Sequence, residues 1–127
     1  MRKYLEDIGV KDYPEAWSKN SKRQKRWKRQ QRLYGFDERE TWDLHWSFYY
    51  WLYERLMCYL EVCNIDLSYH KFTYCNRKYT QEQLIDMMLE RLRFSFSEDY
   101  DEFNNEHWNY VHETEKIWAI ILPSMWW

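Results

Sequence analysis

The stretch DERETWDLHWSFYYWLYERLMCYLEV, residues 37–62, decides the fold that we predict for this chain. Asp37 is a predicted N-cap, and Glu40 stands three residues later, where a capping box needs its reciprocal partner. Apolar side chains then recur at helical spacing, namely Trp42, Trp46, Tyr49, Tyr50, Tyr53, Leu56, Met57 and Leu60. Because its polar stripe is narrow, such a helix must be covered on several sides. We therefore predict one central helix from Glu38 to about Val62.

The segment before this helix is strongly basic and is also predicted to be helical. Pro14 suits the first position of a helix, and Gly35 suits the stop after Tyr34. Lys, Arg and Gln are good helix formers, and only Trp17, Trp27 and Leu33 supply a sparse apolar stripe. We expect a basic helix over residues 15–34 that protrudes from the rest of the chain, preceded by a short lead-in.

Residues after the central helix predict one small hairpin and two further helices. Aromatic residues flank Cys75-Asn76-Arg77-Lys78, which favours a hairpin at residues 70–79. Thr80 and Gln83 form a capping box, so a helix is predicted from Gln81 to about Phe96. A last helix is predicted from about Tyr100 to Leu122. The expected fold is all-α, or α+β with this one hairpin, with three to four helices in a single domain, 1–127.

Length and composition restrict the class of protein. The chain has 127 residues, and aromatic residues make up 21% of it, so polar-tipped rings must build much of the core. No apolar run is long enough to span a membrane, and the first residues lack the apolar region of a secretory signal. Three cysteines, an odd number, suit reduced thiols. We expect a cytoplasmic protein.

The segment 19–32 holds eight basic residues and no acidic one. Because the whole chain has a net charge of −2 and this segment contributes +8, the remaining residues carry −10. Three interpretations of this segment stay open. It binds nucleic-acid phosphates with Trp27 stacked on a base, it docks on an acidic protein surface, or it folds back on residues 98–115, which hold seven carboxylates. The candidate binding residues are Lys22, Arg23, Lys25, Arg26, Trp27, Lys28, Arg29 and Arg32.

No combination of residues predicts a catalytic or metal site. His107 and His112 are five residues apart and so lie on different faces of a helix. The sequence has no C-x-x-C, no phosphate-binding glycine loop and no nucleophile elbow. Asp43 and Glu54 share one face of the predicted central helix, where a hydrogen-bonded polar seam is the simpler interpretation. We expect no enzyme, no cofactor and no metal.

Two segments resemble small proteins encoded by bacteriophages and prophages. The first is LYGFDERETWDL, residues 33–44, followed by WLYERL, residues 51–56, and the second is YTQEQLIDMM, residues 79–88. The similarity extends over roughly residues 22–92. It implies a phage setting in the host bacterial cytosol, and small phage proteins without enzyme motifs often block host machinery.

The sequence therefore leads to three functional hypotheses. The first is a non-enzymatic phage-encoded inhibitor of a host defence system, similar to an anti-CRISPR, that binds a host protein or ribonucleoprotein complex. The second is direct binding of nucleic acid through the basic helix, and the third is a component of the virion or its assembly. A homodimer is a further possibility, because the C-terminal residues 117–127 are rich in apolar side chains.

Overall fold

The computed structural model describes residues 3–10 and 21–126. These residues are mostly helical, with one two-stranded antiparallel sheet, as the sequence predicts. The chain divides into two compact units, Met1–Leu52 and Tyr53–Trp127, and each is described by itself below. Pro14, Trp17 and Lys19, which belong to the predicted basic helix, lie outside the described residues. In the described ranges, no helix combines the length and the apolar character that crossing a membrane requires.

Among the described residues, the first unit begins with two helices. Helix α1 covers Lys3–Asp7, and helix α2 covers Ser21–Tyr34 and carries the basic residues. Leu5 of α1 is fully buried. Helix α2 ends as predicted, because Gly35 has a φ of +80° and its N–H donates to the carbonyl of Gln31 at 3.0 Å. Only glycine adopts such a backbone freely, so Gly35 turns the chain sharply after α2.

The predicted single helix from Glu38 to Val62 is interrupted at Asp43. Helix α3 covers Arg39–Trp42, and helix α4 covers Leu44–Val62. Asp43 has φ −144° and ψ 89°, and its carboxylate accepts a hydrogen bond from the backbone N–H of Trp46 at 3.3 Å. An aspartate side chain competes with the helix for backbone N–H groups, so it begins a new helix more readily than it continues one.

Two other details of this region differ from the prediction. Glu38, one residue after Asp37, is the N-cap of α3, and it caps without a side-chain hydrogen bond. On α4, the side chains of Tyr49, Leu52, Tyr53 and Leu56 are fully buried, whereas Leu44 and Trp51 are exposed. The buried residues form one stripe along α4. The buried part of the helix surface is therefore narrower than its apolar part. The central position of this helix stays a prediction.

The second unit contains the hairpin. Strands β1, Lys71–Tyr74, and β2, Arg77–Thr80, pair in an antiparallel register that places Tyr74 opposite Arg77. Cys75 and Asn76 both have positive φ angles, 50° and 63°. Two left-handed residues in a two-residue loop match the twist of the strands they connect. The hairpin prediction is confirmed, with a turn of two residues instead of four.

Two helices form most of the core of the second unit. Helix α5, Gln81–Phe96, begins with the predicted capping box of Thr80 and Gln83. Its buried face packs against helix α6, Asn105–Ile121, and the core residues are Leu84, Ile85, Met88, Leu89, Leu92, Val111, Ile117 and Ile121. A short 3₁₀ turn, Leu122–Ser124, follows.

Helix α6 begins five residues later than predicted. Asn104 is its N-cap, and the amide oxygen accepts hydrogen bonds from the backbone N–H groups of Glu106 and His107. Phe103, which falls within the predicted range of this helix, precedes the observed helix and is 88% exposed. The prediction was wrong because Asp101 and Glu102 resemble the acidic first turn of a helix, although Asn104 is the stronger cap.

Candidate functional site

Trp27 lies at the middle of α2 and is only 2% exposed. Its indole N–H donates to Glu38 Oε1 at 3.0 Å, and its ring meets that of Trp42 edge to face at 6.2 Å. The Arg39 guanidinium lies 4.2 Å from the ring centroid, within the range of a cation–π contact. The structure therefore makes Trp27 an anchor for α2. The hypothesis that this ring stacks on a nucleic-acid base is wrong for this conformation, because the ring faces the protein.

Three polar side chains of α2 also join the helix to the turn that follows Gly35. Arg26 Nε donates to Glu38 Oε1 at 2.6 Å, and the two side chains form an ion pair. Gln30 Oε1 accepts from the backbone N–H of Glu38 at 2.8 Å, and Gln31 Nε2 donates to Asp37 Oδ2 at 2.7 Å. One side of α2 is thus committed to contacts inside the first unit.

Asp37 is the buried charge at the centre of these contacts. Its two carboxylate oxygens accept from Arg39 Nε at 3.0 Å and from Arg39 Nη2 at 2.8 Å, which is a bidentate pair. Burial alone would raise the pKa of Asp37, but the hydrogen bonds from Arg39 and Gln31 outweigh it and hold the pKa below the usual 3.8. The carboxylate is therefore ionised at neutral pH.

The opposite side of α2 carries exposed cations. At about 100° per residue, Lys22, Lys25, Arg29 and Arg32 point within about 40° of the direction opposite Trp27. Lys28 lies beside them, and all five side chains are exposed. We call these five residues the basic face. Helix α2 contains no acidic residue, so the basic face is an unbroken positive strip about 15 Å long.

The remaining predicted binding residues lie elsewhere on the helix. Arg23 is exposed but is four residues before Trp27, so it points toward the same side as the anchor. Arg26 is partly exposed and is paired with Glu38. The structure thus brings five of the eight predicted residues together on the basic face and assigns Trp27 and Arg26 to the attachment of the helix.

An exposed apolar group lies at the C-terminal end of α2. Tyr34 is 64% exposed, and its ring lies 6.0 Å from that of Phe36, which is also exposed. Leu33 is exposed as well, although it was predicted to belong to the sparse apolar stripe of the basic helix. We call Leu33, Tyr34 and Phe36 the aromatic tip. Gly35 is the feature of the sequence that could have predicted this exposed group. A chain reversal between two rings leaves little protein on either side to cover them.

The acidic segment 98–115 is partly engaged within the second unit. Glu113 accepts a hydrogen bond from the Tyr74 hydroxyl and pairs with Lys116 Nζ at 2.9 Å. Both contacts lower the pKa of Glu113, and the hydrogen bond from Tyr74 has the larger effect. His112 Nδ1 lies 3.1 Å from Glu115 Oε1, and the backbone N–H of Asp101 donates to His107 Nδ1 at 3.1 Å. The hypothesis that the basic segment folds back on residues 98–115 stays a prediction.

The residues considered for acid–base or metal chemistry have local contacts of their own. Asp43 caps α4, as described above. Cys58 and Cys75 are exposed free thiols, and Cys63 is a half-buried one. The expectation of no catalytic and no metal site stays a prediction.

The chain matches no protein-family model, no curated protein and no solved structure. The functional argument below therefore rests on the geometry of α2 and the turn attached to it.

Proposed function

We propose that this protein is a non-enzymatic interaction protein that docks on an acidic protein surface through the basic face and the aromatic tip. The observation that supports this proposal is the division of α2 into two sides. Trp27 and Glu38 hold one side to the first unit, and the opposite side presents cations to solvent. A helix held in this way offers its charges in a fixed arrangement, which reduces the entropy lost on binding.

The composition of this surface favours a protein partner. Arginine and tyrosine are the residues most enriched at the energetic centres of protein interfaces, and exposed rings beside arginines provide both apolar area and charge. Arg29 and Arg32 belong to the basic face, and Tyr34 and Phe36 follow within seven residues of Arg29. A partner surface with carboxylates around an apolar pocket would complement this pattern.

The resemblance to small phage proteins gives the proposal its biological setting. In that setting the partner is a host defence complex, of which a CRISPR effector is one example, and binding blocks its action. Such complexes expose basic and acidic protein surfaces as well as nucleic acid, so the identity of the bound component must be measured.

The test is a pull-down from bacterial lysate with and without nuclease, using two variants with matched charge changes. Lys25→Glu with Arg29→Glu reverses two charges on the basic face, whereas Lys71→Glu with Arg77→Glu reverses two exposed charges on the hairpin. We expect the first variant to lose a protein partner that survives nuclease, and the second to retain it. Equal binding by both variants would refute the proposed surface. Arg26 is left unchanged because it holds Glu38.

A second candidate, nucleic-acid binding, is supported by the absence of any carboxylate on α2. A positive strip about 15 Å long would contact several phosphates along one strand. This candidate predicts that the logarithm of the affinity falls with the logarithm of salt concentration by about 0.9 per phosphate contacted on duplex DNA. Fluorescence anisotropy with labelled duplexes measures that slope. Loss of all bound material on nuclease treatment would favour this candidate over the protein partner.

A further inference from the structure

A groove of about 450 Å³ lies in the second unit. Its walls come from the segment before the hairpin, the start of α5 and the C-terminal residues. The lining residues that matter here are Asp66, Tyr69, His70, Gln81, Ser124 and Trp126. This volume lies within the range of small-molecule sites in proteins.

The floor of the groove is fixed by hydrogen bonds. Gln81 is buried, its Oε1 accepts from the Tyr59 hydroxyl at 3.0 Å, and its Nε2 donates to the Ser124 carbonyl at 3.4 Å. The backbone N–H of Glu82 donates to the Leu67 carbonyl at 3.5 Å. One side chain therefore ties the end of α4, the start of α5 and the C-terminal segment together, so the groove exists before any ligand enters.

Asp66 is the one carboxylate among the described residues that line the groove. Its Oδ1 accepts from the backbone N–H of Ser68 at 2.9 Å and from the Ser68 hydroxyl at 2.5 Å. Those bonds lower the pKa of Asp66 and hold its carboxylate in place. No hydrogen bond among the described residues uses Oδ2, so that oxygen is available to a ligand.

The two largest side chains of the rim are aromatic and lie mostly in solvent. Tyr69 is 76% exposed and Trp126 is 74% exposed. Tyrosine and tryptophan rings attract cations through the negative potential of their faces, and tryptophan does so most strongly. No lysine or arginine among the described residues lines the groove, although the His70 ring meets that of Tyr69 edge to face at 4.9 Å.

An anionic ligand does not fit this groove. Two first-turn N–H groups of α5 that would attract an anion are already used, since that of Glu82 donates to the Leu67 carbonyl and that of Gln83 donates to the Thr80 side chain. The fixed carboxylate of Asp66 would also repel it. From the carboxylate, the two rings and the absence of lysine and arginine among the described lining residues, we propose that this groove binds an organic cation with an alkylammonium or guanidinium group.

The test is an NMR titration that follows the indole N–H of Trp126, identified by its loss in Trp126→Phe. The probes are tetramethylammonium for a free small cation, N-acetylarginine methylamide for an arginine side chain, and tert-butyl alcohol as a neutral molecule of similar shape. We expect saturable shifts with one or both cations and not with the alcohol. Whichever cation binds more tightly identifies the source of the group.

Paired variants decide which residues are responsible. Asp66→Asn, followed on the Trp126 indole, and Trp126→Ala, followed on the backbone amide of Tyr69, should each weaken cation binding about fivefold, the loss expected for one exposed charge or cation–π contact. Glu98→Gln and Phe103→Ala remove an exposed carboxylate and an exposed ring elsewhere in the unit and should have no effect. Equal shifts with the alcohol, no saturable shift with either cation, or unchanged binding by Asp66→Asn would each overturn the proposal. Unchanged hairpin amide shifts verify that the variants remain folded.

Discussion

Glu38 connects three side chains of α2, two through its carboxylate and one through its backbone N–H. Its Oε1 accepts from the Trp27 indole and from Arg26, while its backbone N–H donates to Gln30. Because the ring of Trp27 also contacts Trp42 and Arg39, this single tryptophan combines apolar burial with a hydrogen bond to a charge. The attachment of α2 is therefore concentrated in very few residues.

Replacing Trp27 should separate these two contributions. We expect Trp27→Ala to lower the free energy of unfolding by about 3–5 kcal/mol, the usual result of deleting a buried aromatic ring. Trp27→Phe keeps most of the ring and loses the N–H bond to Glu38, so it should cost about 1–3 kcal/mol. Urea titrations followed by circular dichroism measure both values. Leu33→Ala, on the exposed aromatic tip, is the control and should change stability by less than about 0.5 kcal/mol.

Asp37 should make stability depend on pH in the acidic range. Its pKa is lower in the folded protein than the usual 3.8, so its stabilisation is fully present above that value and is lost as the pH falls through the folded pKa. Asp37→Asn should lower the free energy of unfolding by about 1–3 kcal/mol near neutral pH. The difference from the wild type should narrow below pH 3.8. Urea titrations across this range test it, with the exposed Asp99→Asn as control; a constant difference would contradict the assignment.

The interruption at Asp43 gives the helices a feature that mutation can test. In a continuous helix, Asp43→Ala would stabilise the protein, because alanine is the better helix former. With Asp43 capping α4, the same change should instead cost about 1 kcal/mol. Asp43→Asn retains the cap and should be nearly neutral. Thermal unfolding of the three proteins measures the difference. A stabilised alanine variant would contradict the interruption at Asp43 and favour a continuous helix.

The hairpin is attached to α6 by one buried hydroxyl. Tyr74 is buried and donates to Glu113, and burial, followed by this bond, raises the pKa of Tyr74. We expect Tyr74→Phe to cost about 1–2 kcal/mol, because a bond to a charged acceptor is lost. Hydrogen exchange of the β1 and β2 amides should also become faster. Tyr69→Phe removes an exposed hydroxyl and should change neither quantity.

The elements differ in how far the sequence predicts them. The capping box of Thr80 and Gln83 was predicted because both partners lie within four residues of each other, and the hairpin was predicted because its turn is local. The start of α6 was missed because two nearby signals, acidic residues and Asn104, compete. The burial of Trp27 was left open because it depends on Glu38 and Trp42, which follow only after Gly35 reverses the chain.

At the scale of the whole molecule, positive charge is concentrated on one helix, α2, at some cost in stability. Lys25 and Arg29 are four residues apart on α2, and like charges at this spacing destabilise a helix by a few tenths of a kcal/mol. Lys25→Gln with Arg29→Gln should therefore leave the melting temperature unchanged or slightly raised, while weakening partner binding. Binding of the wild type should also decrease with added salt, because exposed charges are screened. A variant with a lower melting temperature and unchanged binding would mean that Lys25 and Arg29 stabilise the fold and do not contact the partner.

The Trp27 anchor has a consequence for how this molecule can change over generations. The contacts described for Trp27, Gln30 and Gln31 lie on one side of the helix, and the residues of the basic face point toward the other. Substitutions on the outward side can therefore accumulate one at a time, each altering what the helix recognises, while the inward side keeps the fold intact. Where the binding partner changes over generations, the recognition surface of this helix can change with it while the rest of the fold is kept.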